Sequence, residues 1–386
     1  MIRMRNFIAI LAAFLAVASV SICAAQQPND AWEQVAVPTT ASFRSLSVVS
    51  EKIVWTGGTE GTVLRTIDGG ATWQVHTVRG AEKLDFRGLH AFDANSAVIM
   101  SSGNAEDGQA RIYRTSDGGE SWQLAYEQKT RGVFFDAIAF WDRTHGIVVS
   151  DPVDGRFALF STDDGGTSWS QIPAANLPPA LPNEGAFAAS NSCLTVEGES
   201  NAWFVTGGAG VARVFRSSDR GRTWKVADTA MHPANASTGL FSVAFRDAQN
   251  GVAVGGDYAH PSDSPGPVIF LTRDGGITWS AGPATDPPGL FLSSVVYAPV
   301  ARSAAKANRA SEAGAEAKRR GEHANEIVAA GSGGIVAQSA RGIVTQSANG
   351  KWMRTSSANV NVVAFAPSGT AWAAGPKGTL LRLAPQ

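Results

Sequence analysis

Five octapeptides in this chain fit one pattern, Ser/Thr-x-Asp-x-Gly-x-Ser/Thr-Trp: TIDGGATW (66–73), TSDGGESW (115–122), TDDGGTSW (162–169), SSDRGRTW (217–224) and TRDGGITW (272–279). A worn copy, SANGKW (347–352), is one residue shorter, and Trp32 in DAWEQV has the following strand but no preceding box. Counted from Trp32 to Trp352, successive tryptophans of this set lie 41, 49, 47, 55, 55 and 73 residues apart. A period of about 40 to 50 residues is that of four-stranded propeller blades. The one long gap holds ARSAAKANRASEAGAEAKRRGEHANE (301–326), and without those 26 residues it shrinks to 47.

A second pattern runs in phase with the first. Upstream of each Trp comes an apolar strand, a turn, and another strand ending in small residues, as in FRSLSVVSEKIVWTGG, FRGLHAFDANSAVIMSSG and LFSVAFRDAQNGVAVGGD. β-Branched and aromatic runs separated by Gly, Asn and Asp signal short antiparallel strands. The expected fold is therefore all-β, a seven-bladed β-propeller. Its last copy, 359–383, stops before any Trp strand, and the N-terminus supplies only the Trp32 strand. Residues 31–38 are thus expected as the outer strand of the blade that ends the chain, which closes the ring and leaves no open edge.

The box invites a catalytic or calcium reading, but its repetition argues for a turn. An Asp carboxylate accepts nearby backbone N–H groups, glycine supplies positive φ, and the Trp buries a large ring. Asp68, Asp117, Asp164, Asp219 and Asp274, spread around a ring, do not converge on one substrate. The boxes share one acid at a common position, where calcium takes six to eight oxygens. These aspartates and their partners Trp73, Trp122, Trp169, Trp224 and Trp279 are read as structural, and no metal or cofactor is expected.

With 44% hydrophobic residues among 386 and a formal net charge of -1, the chain has ample core and no basic excess to suggest nucleic acid. Arg3 and Arg5 precede an apolar run from Phe7 to Ile22, and Cys-Ala-Ala-Gln-Gln follows. This pattern predicts a secretory signal over 1–25, cut after Ala25, with one propeller over 26–386. The apolar run is short for a spanning helix. The expected product is periplasmic or secreted, not an integral membrane protein after cleavage. Cys193, in SCLTV, reads as a small buried hydrophobe. The 301–326 insert lacks an apolar stripe and reads as a solvated helix or disordered loop.

FRSLSVV (43–49), FRGLHAF (86–92), FDAIAFWDRTHG (135–146) and IDGGATW (67–73) together resemble the blades of the photosystem II stability/assembly factor family, seven-bladed propellers with Asp-box (BNR) repeats and a sialidase-like fold. The resemblance covers nearly all of the mature chain. It implies a non-catalytic assembly chaperone that binds partner protein through an arginine-lined surface. Those arginines carry over to Arg44 and Arg87, while later blades have Asp136, Ser192, Phe241, Ser293 and Asn361 at the same position. The box alone is less specific, being shared with sialidases, sortilin-type receptors and xyloglucan hydrolases. The Phe/Tyr-Arg-Ile-Pro signature of sialidases is missing, and xyloglucan hydrolases of this type pair two propellers where this chain has room for one.

A binding site is expected on the face carrying the loops after the second and fourth strands of each blade. Long loops fall at PAANLPPALPNEGAFAASNS (173–192) and GGDYAHPSDSPGP (255–267), with the shorter SDPVDGRF (150–157) beside them. They pool Asp151, Asp154, Arg156, Glu184, Asn191, Asp257, Tyr258, His260 and Asp263, with Arg44, Arg87 and Asp136 near the channel mouth. Individually, such polar loop residues often serve only as solvated groups and turn acceptors. The leading expectation is an exported, non-catalytic binding scaffold that assists the assembly or stability of an envelope protein, its partner another exported or membrane protein. The alternative is a glycan-active enzyme, a glycoside hydrolase, or a lectin using the same face.

Overall fold

Each repeat delivers four strands whose middle two are apolar on both faces, as in VWTGG (Val54–Gly58) and TVLRT (Thr62–Thr66), all ten residues buried. Strands of this kind are stable only when sandwiched, so a repeat needs a neighbour on each side. The computed structural model describes residues 32–264, 266–299, 327–338 and 352–383. The expected signal segment 1–25, the 301–326 insert and most of the worn box lie outside the described residues.

Seven sheets form. Blade 1 comprises Phe43–Val48, Val54–Gly58, Thr62–Thr66 and Gln74–Thr77. Blade 2 comprises Phe86–Ala91, Ala97–Ser101, Arg111–Thr115 and Gln123–Glu127. Blade 3 comprises Phe135–Phe140, Gly146–Val153, Arg156–Thr162 and Ser170–Gln171. Blade 4 comprises Leu194–Glu197, Asn201–Val205, Arg213–Ser217 and Lys225–Asp228. Blade 5 comprises Thr238–Phe245, Gly251–Asp257, Ile269–Thr272 and Ser280–Ala281. Blade 6 comprises Ser294–Tyr297, Ile327–Gly331, Gly334–Gln338 and Trp352–Ser356. Blade 7 comprises Val362–Phe365, Ala371–Ala374, Leu380–Leu383 and, from the other end of the chain, Glu33–Gln34.

That last pairing is the expected closure. Glu33 lies opposite Arg382 and Gln34 opposite Leu381 in antiparallel register, and Val35 N–H extends it to Leu380 O at 2.8 Å. Each innermost strand touches the innermost strand of the next blade, and that of blade 7 touches that of blade 1. One element was not anticipated: Thr285–Asp286 adds a parallel fifth strand outside Trp352–Met353 in blade 6. At two residues it is too short to leave a periodic signal.

The core lies between blades. Buried apolar residues group into clusters that bridge neighbours, such as Trp55 and Val63 of blade 1 with Phe86 and Ile99 of blade 2, or Phe43 and Leu64 of blade 1 with Trp372 and Leu380 of blade 7. Cys193 belongs to this core, fully buried, and burial pushes its thiol well above the ordinary range, with Asp136 adding to the effect.

The five clear boxes share one hydrogen-bond scheme. In the first, Thr66 Oγ1 donates to Asp68 Oδ1 at 2.7 Å and accepts Gly70 N–H at 2.9 Å. Asp68 also accepts Thr72 N–H at 2.9 Å and the Thr72 hydroxyl at 2.6 Å. The same bonds recur around Asp117, Asp164, Asp219 and Asp274. The Thr72 hydroxyl and N–H, then Thr66, hold the Asp68 carboxyl down at about 2. Thr278 does the same for Asp274, also about 2.

The second box glycine has a further role. A Cβ on Gly70 would sit 2.5 Å from the Trp372 ring of blade 7, and one on Gly119 would sit 3.4 Å from Trp55 of blade 1. In the next three boxes the neighbours are Val98, Ile147 and Trp203, each on the second strand of the preceding blade. The box is therefore a turn and an inter-blade contact at once. Gly70→Ala combines backbone strain at φ 90° with a clash, and is expected to destabilise by about 2–4 kcal/mol. Gly80→Ala, at φ 78° with open space around it, carries only the strain of about 1 kcal/mol. Urea unfolding of the two variants checks the difference, and equal losses contradict the inter-blade role.

Candidate functional site

Antiparallel alternation puts the boxes, which join third to fourth strands, at one end of the ring. Loops after second and fourth strands fall at the other end, and a cavity of about 440 Å³ opens there, lined by residues of several blades. Its residues arrive by a repeated device. The inner strands of blades 1, 2, 3 and 5 each shift register at their second or fourth residue: between Phe43 and Ser45, Phe86 and Gly88, Phe135 and Ala137, and Leu240 and Ser242. The skipped residues are Arg44, Arg87, Asp136 and Phe241. A β-bulge re-aims a side chain that strict alternation would place elsewhere, and all four line the cavity. Ser293 and Asn361, just ahead of the inner strands of blades 6 and 7, line it too.

One side of the cavity is ionic. Arg87 Nε donates to Asp85 Oδ2 at 2.7 Å. Arg44 is held below the ordinary guanidinium range by burial and by Arg87, with Asp85 acting the other way. Its Nε has no hydrogen-bond partner among the described residues. Asp136 is only 1% exposed, and its Oδ2 is likewise unpartnered. Burial first, then the neighbouring Asp151, push the Asp136 carboxyl well up, with Arg87 pulling it back only in part. Burial raises Asp151 to about 6, opposed by the Ala186 N–H that its Oδ1 accepts at 3.0 Å.

The other side is aromatic. Phe187 stacks on Phe241 with centroids 3.9 Å apart and planes at 17°. Phe291 meets Phe241 edge-on at 4.8 Å. Tyr258, 54% exposed, packs edge-on against both members of the stack at 6.5 and 6.0 Å. Below them, hydroxyls link Ser190 to Ser192 at 2.6 Å and Ser192 to Ser242 at 2.7 Å.

Of the residues singled out in the sequence, Arg44, Arg87, Asp136, Asp151 and Tyr258 come together in this cavity. The others serve the loops that wall it. Glu184 is buried in a double hydrogen bond with Arg213, Nε donating to its Oε1 at 2.9 Å and Nη2 to Oε2, and it also accepts the Thr206 hydroxyl at 2.6 Å. This pair fastens the 173–192 loop to blade 4. Arg156 donates to Leu177 O of the same loop. Asn191 spans three blades: its Oδ1 accepts Ile138 N–H at 2.8 Å and its Nδ2 donates to Leu89 O at 3.3 Å. Asp154, at φ 50°, with Gly155 makes the hairpin turn of blade 3. Asp257 is buried and accepts the Ser237 hydroxyl at 2.6 Å, Ala259 N–H at 2.9 Å and His260 Nδ1 at 3.0 Å. Burial would raise its carboxyl, but these bonds outweigh burial and hold it below the ordinary range. Asp263 lies in the same loop, its N–H donating to His260 O at 3.1 Å.

Sequence reasoning passed over Phe187 and Phe291 as site residues. Both sit in loops without periodic pattern, and nothing in the sequence pairs Phe187 with Phe241, 54 positions later. Among the described residues no group of three or more His, Cys, Asp or Glu side chains is placed to hold a metal, and no helix is long and apolar enough to cross a membrane.

Residues 24–123 match the family model of the photosynthesis system II assembly factor YCF48, and residues 270–281 match the BNR/Asp-box repeat. A solved structure of YCF48 bound to D1 peptide is 17% identical, with a TM-score of 0.61 over 92% of this chain and 97% of that one. YCF48 from Cyanidioschyzon merolae is also 17% identical, with a TM-score of 0.59 over 91% and 98%. A GH74 xyloglucanase from Xanthomonas campestris is 13% identical at a TM-score of 0.55, covering 91% of this chain and 53% of that one. No curated protein matches the sequence significantly. The resemblance to the photosystem II assembly factors thus holds as a family pattern over residues 24–123, and as a shared fold across the ring.

The cavity carboxyls and the box carboxyls act oppositely on stability. Asp136 and Asp151 titrate higher folded than unfolded, so their contribution is fully present below the ordinary carboxylate range and is lost as pH rises through about 6 for Asp151. Asp68 and Asp274 titrate lower, so theirs is present above that range and lost as pH falls through about 2. Relative to the Asp151→Asn variant, the urea-denaturation stability of the protein is expected to fall as pH rises through about 6. An unchanged slope in the variant contradicts the assignment.

Proposed function

We propose that this chain is an exported, non-catalytic scaffold that grips a segment of another envelope protein in the central cavity and assists its assembly or stability. The observation that carries this reading is the cavity itself. It places an unpaired guanidinium nitrogen, an unpartnered buried carboxyl and an exposed Tyr258 on one concave surface. Unsatisfied buried polar groups are costly unless a ligand completes them. A volume of about 440 Å³ suits a few side chains of an extended segment rather than a folded domain. YCF48, which shares the fold, has been solved with a D1 peptide bound, and by that analogy the ligand of this chain is a peptide segment. The charged lining departs from an all-arginine surface, since Asp136 occupies in blade 3 the position of Arg44 and Arg87, so the partner differs in chemistry. Export is part of the proposal and rests on the signal pattern of residues 1–25.

A second reading has one observation in its favour. Two carboxyls held above their ordinary range beside aromatic rings are what a glycoside hydrolase uses as its acid and its partner carboxylate. On that reading Asp151 and Asp136 act on a glycan stacked against Tyr258.

One experiment separates the two. A photo-crosslinking residue is placed at position 258 and, as a control, at position 67 in the first box on the opposite face, in protein expressed in its native envelope. The scaffold reading predicts a discrete protein adduct from position 258 only, and a mature N-terminus at Gln26. No adduct at 258, together with a clear hit on a glycan array, replaces the scaffold with the glycan-active reading. Recovery of unprocessed Met1 protein from the cytoplasm contradicts export.

A further inference from the structure

The cavity is not simply an arginine surface. Arg87 is ion-paired with Asp85 and pulls Asp136 back only in part. Arg44, Asp136 and Asp151 line the same cavity, and with the Arg87–Asp85 pair they make three carboxyls against two guanidiniums. The two acids come from adjacent strands of blade 3, Phe135–Phe140 and Gly146–Val153. The Ala186 N–H that binds Asp151 Oδ1 lies one residue from Phe187, so the acid pair abuts the Phe187–Phe241 stack and Tyr258 beside it.

Asp136 is the informative member. It lines the cavity, is 1% exposed, and its Oδ2 lacks a partner among the described residues. An oxygen so placed has lost water without gaining a hydrogen bond, and Arg87 offsets the burial only in part, a cost of the kind that a ligand repays on binding. Aromatic faces next to carboxylates favour a cation, which gains from ring quadrupoles as well as from charge. A carboxylate ligand at this end of the cavity would instead meet two acids.

We infer that the acid end of the cavity seats a cationic side chain of the partner, a lysine ammonium or arginine guanidinium, between the Asp136 and Asp151 carboxyls and the Phe187–Phe241 stack. The inference rests on the scaffold reading and adds the class of residue that enters the pocket. Arg44, which lines the same cavity with its Nε unpartnered among the described residues, then takes an oxygen acceptor of the same segment, a backbone carbonyl or an acid. Burial holds both carboxyls above their ordinary range, so below about pH 6 seating a cation displaces a proton from Asp151, and affinity rises with pH. The groups that bear on this titration are Arg44, Arg87 and Asp85 from blades 1 and 2, Asp136 and Asp151 from blade 3, the Cys193 thiol ahead of blade 4, and the Tyr258 hydroxyl after blade 5. Cys193 stays a neutral thiol, its titration pushed well up by burial and by the two acids.

The test uses the full chain and two small probes, N-acetyl-lysine methylamide and N-acetyl-glutamate methylamide, titrated by NMR at pH 5 and pH 8. The lysine probe is expected to bind saturably and about tenfold more tightly at pH 8 than at pH 5, from release of one proton by a group titrating near 6. The Asp151→Asn variant is expected to weaken binding and flatten that dependence. Tyr258→Ala is expected to weaken binding while keeping the dependence. Neither variant removes core packing, and thermal melts confirm that both remain folded. Preference for the glutamate probe, tighter lysine binding at pH 5, or no saturable lysine binding overturns the inference. An adduct from position 258 with a partner whose affinity is indifferent to Asp151→Asn also overturns it while leaving the scaffold reading intact. Absence of an adduct at 258 together with a glycan-array hit removes the scaffold reading itself.

Discussion

The contact between the second glycine of each box and a side chain of the preceding blade is the constraint on which the ring depends. Gly70 meets Trp372 across the seam where the chain ends join, and Gly119, Gly166, Gly221 and Gly276 meet Trp55, Val98, Ile147 and Trp203 in turn. A side chain at this glycine crowds the neighbouring sheet, most severely at Gly70 and Gly221, where a Cβ would come within 2.5 Å of Trp372 and Ile147. The Asp of the box has no share in that contact. It fixes the turn that presents the glycine, by accepting one backbone N–H and two hydroxyls. Sequence repetition, turn geometry and blade spacing are in this way one fact seen at three scales.

A ring held from one end leaves the other end free to vary. On the box face, five turns carry nearly the same bonds and differ only in exposed side chains. On the opposite face the blades contribute five kinds of group: guanidinium in blades 1 and 2, carboxyl in blade 3, hydroxyl in blades 4 and 6, an aromatic ring in blade 5 and an amide in blade 7. The inner-strand bulge lets this variation reach the cavity without touching the core. Ala137 and Ser45, the residues after the bulge, resume the ladder with their partners. Scaffold and site are thereby separable in the same short strand.

The periodic features were legible in the sequence. Box spacing implied seven blades, and the missing fourth strand at the C-terminus implied the closure seen between Gln34 and Leu381. The shared position of Arg44, Arg87 and Asp136 after a phenylalanine was legible too, because a bulge repeats with the blade. What escaped was contact between loops. Glu184 looked like a free acid on a long loop, but its partner Arg213 lies 29 positions on, in a strand whose outward pattern gave no sign of it. Asp257 is likewise consumed by Ser237 and Ala259. Loops close by pairwise contacts that have no period, so their residues separate into site and support only once the chain is folded.

The central claim is that chemistry sits in the cavity at one end of the ring and architecture in the boxes at the other. Hydrogen-exchange mass spectrometry of the full chain, free and with its crosslink-identified partner segment, tests it most directly. The account predicts new protection confined to the cavity segments around 134–137, 185–189, 241 and 258, with exchange at the five box turns unaltered. Protection centred on the box turns, with the cavity segments unchanged, contradicts it.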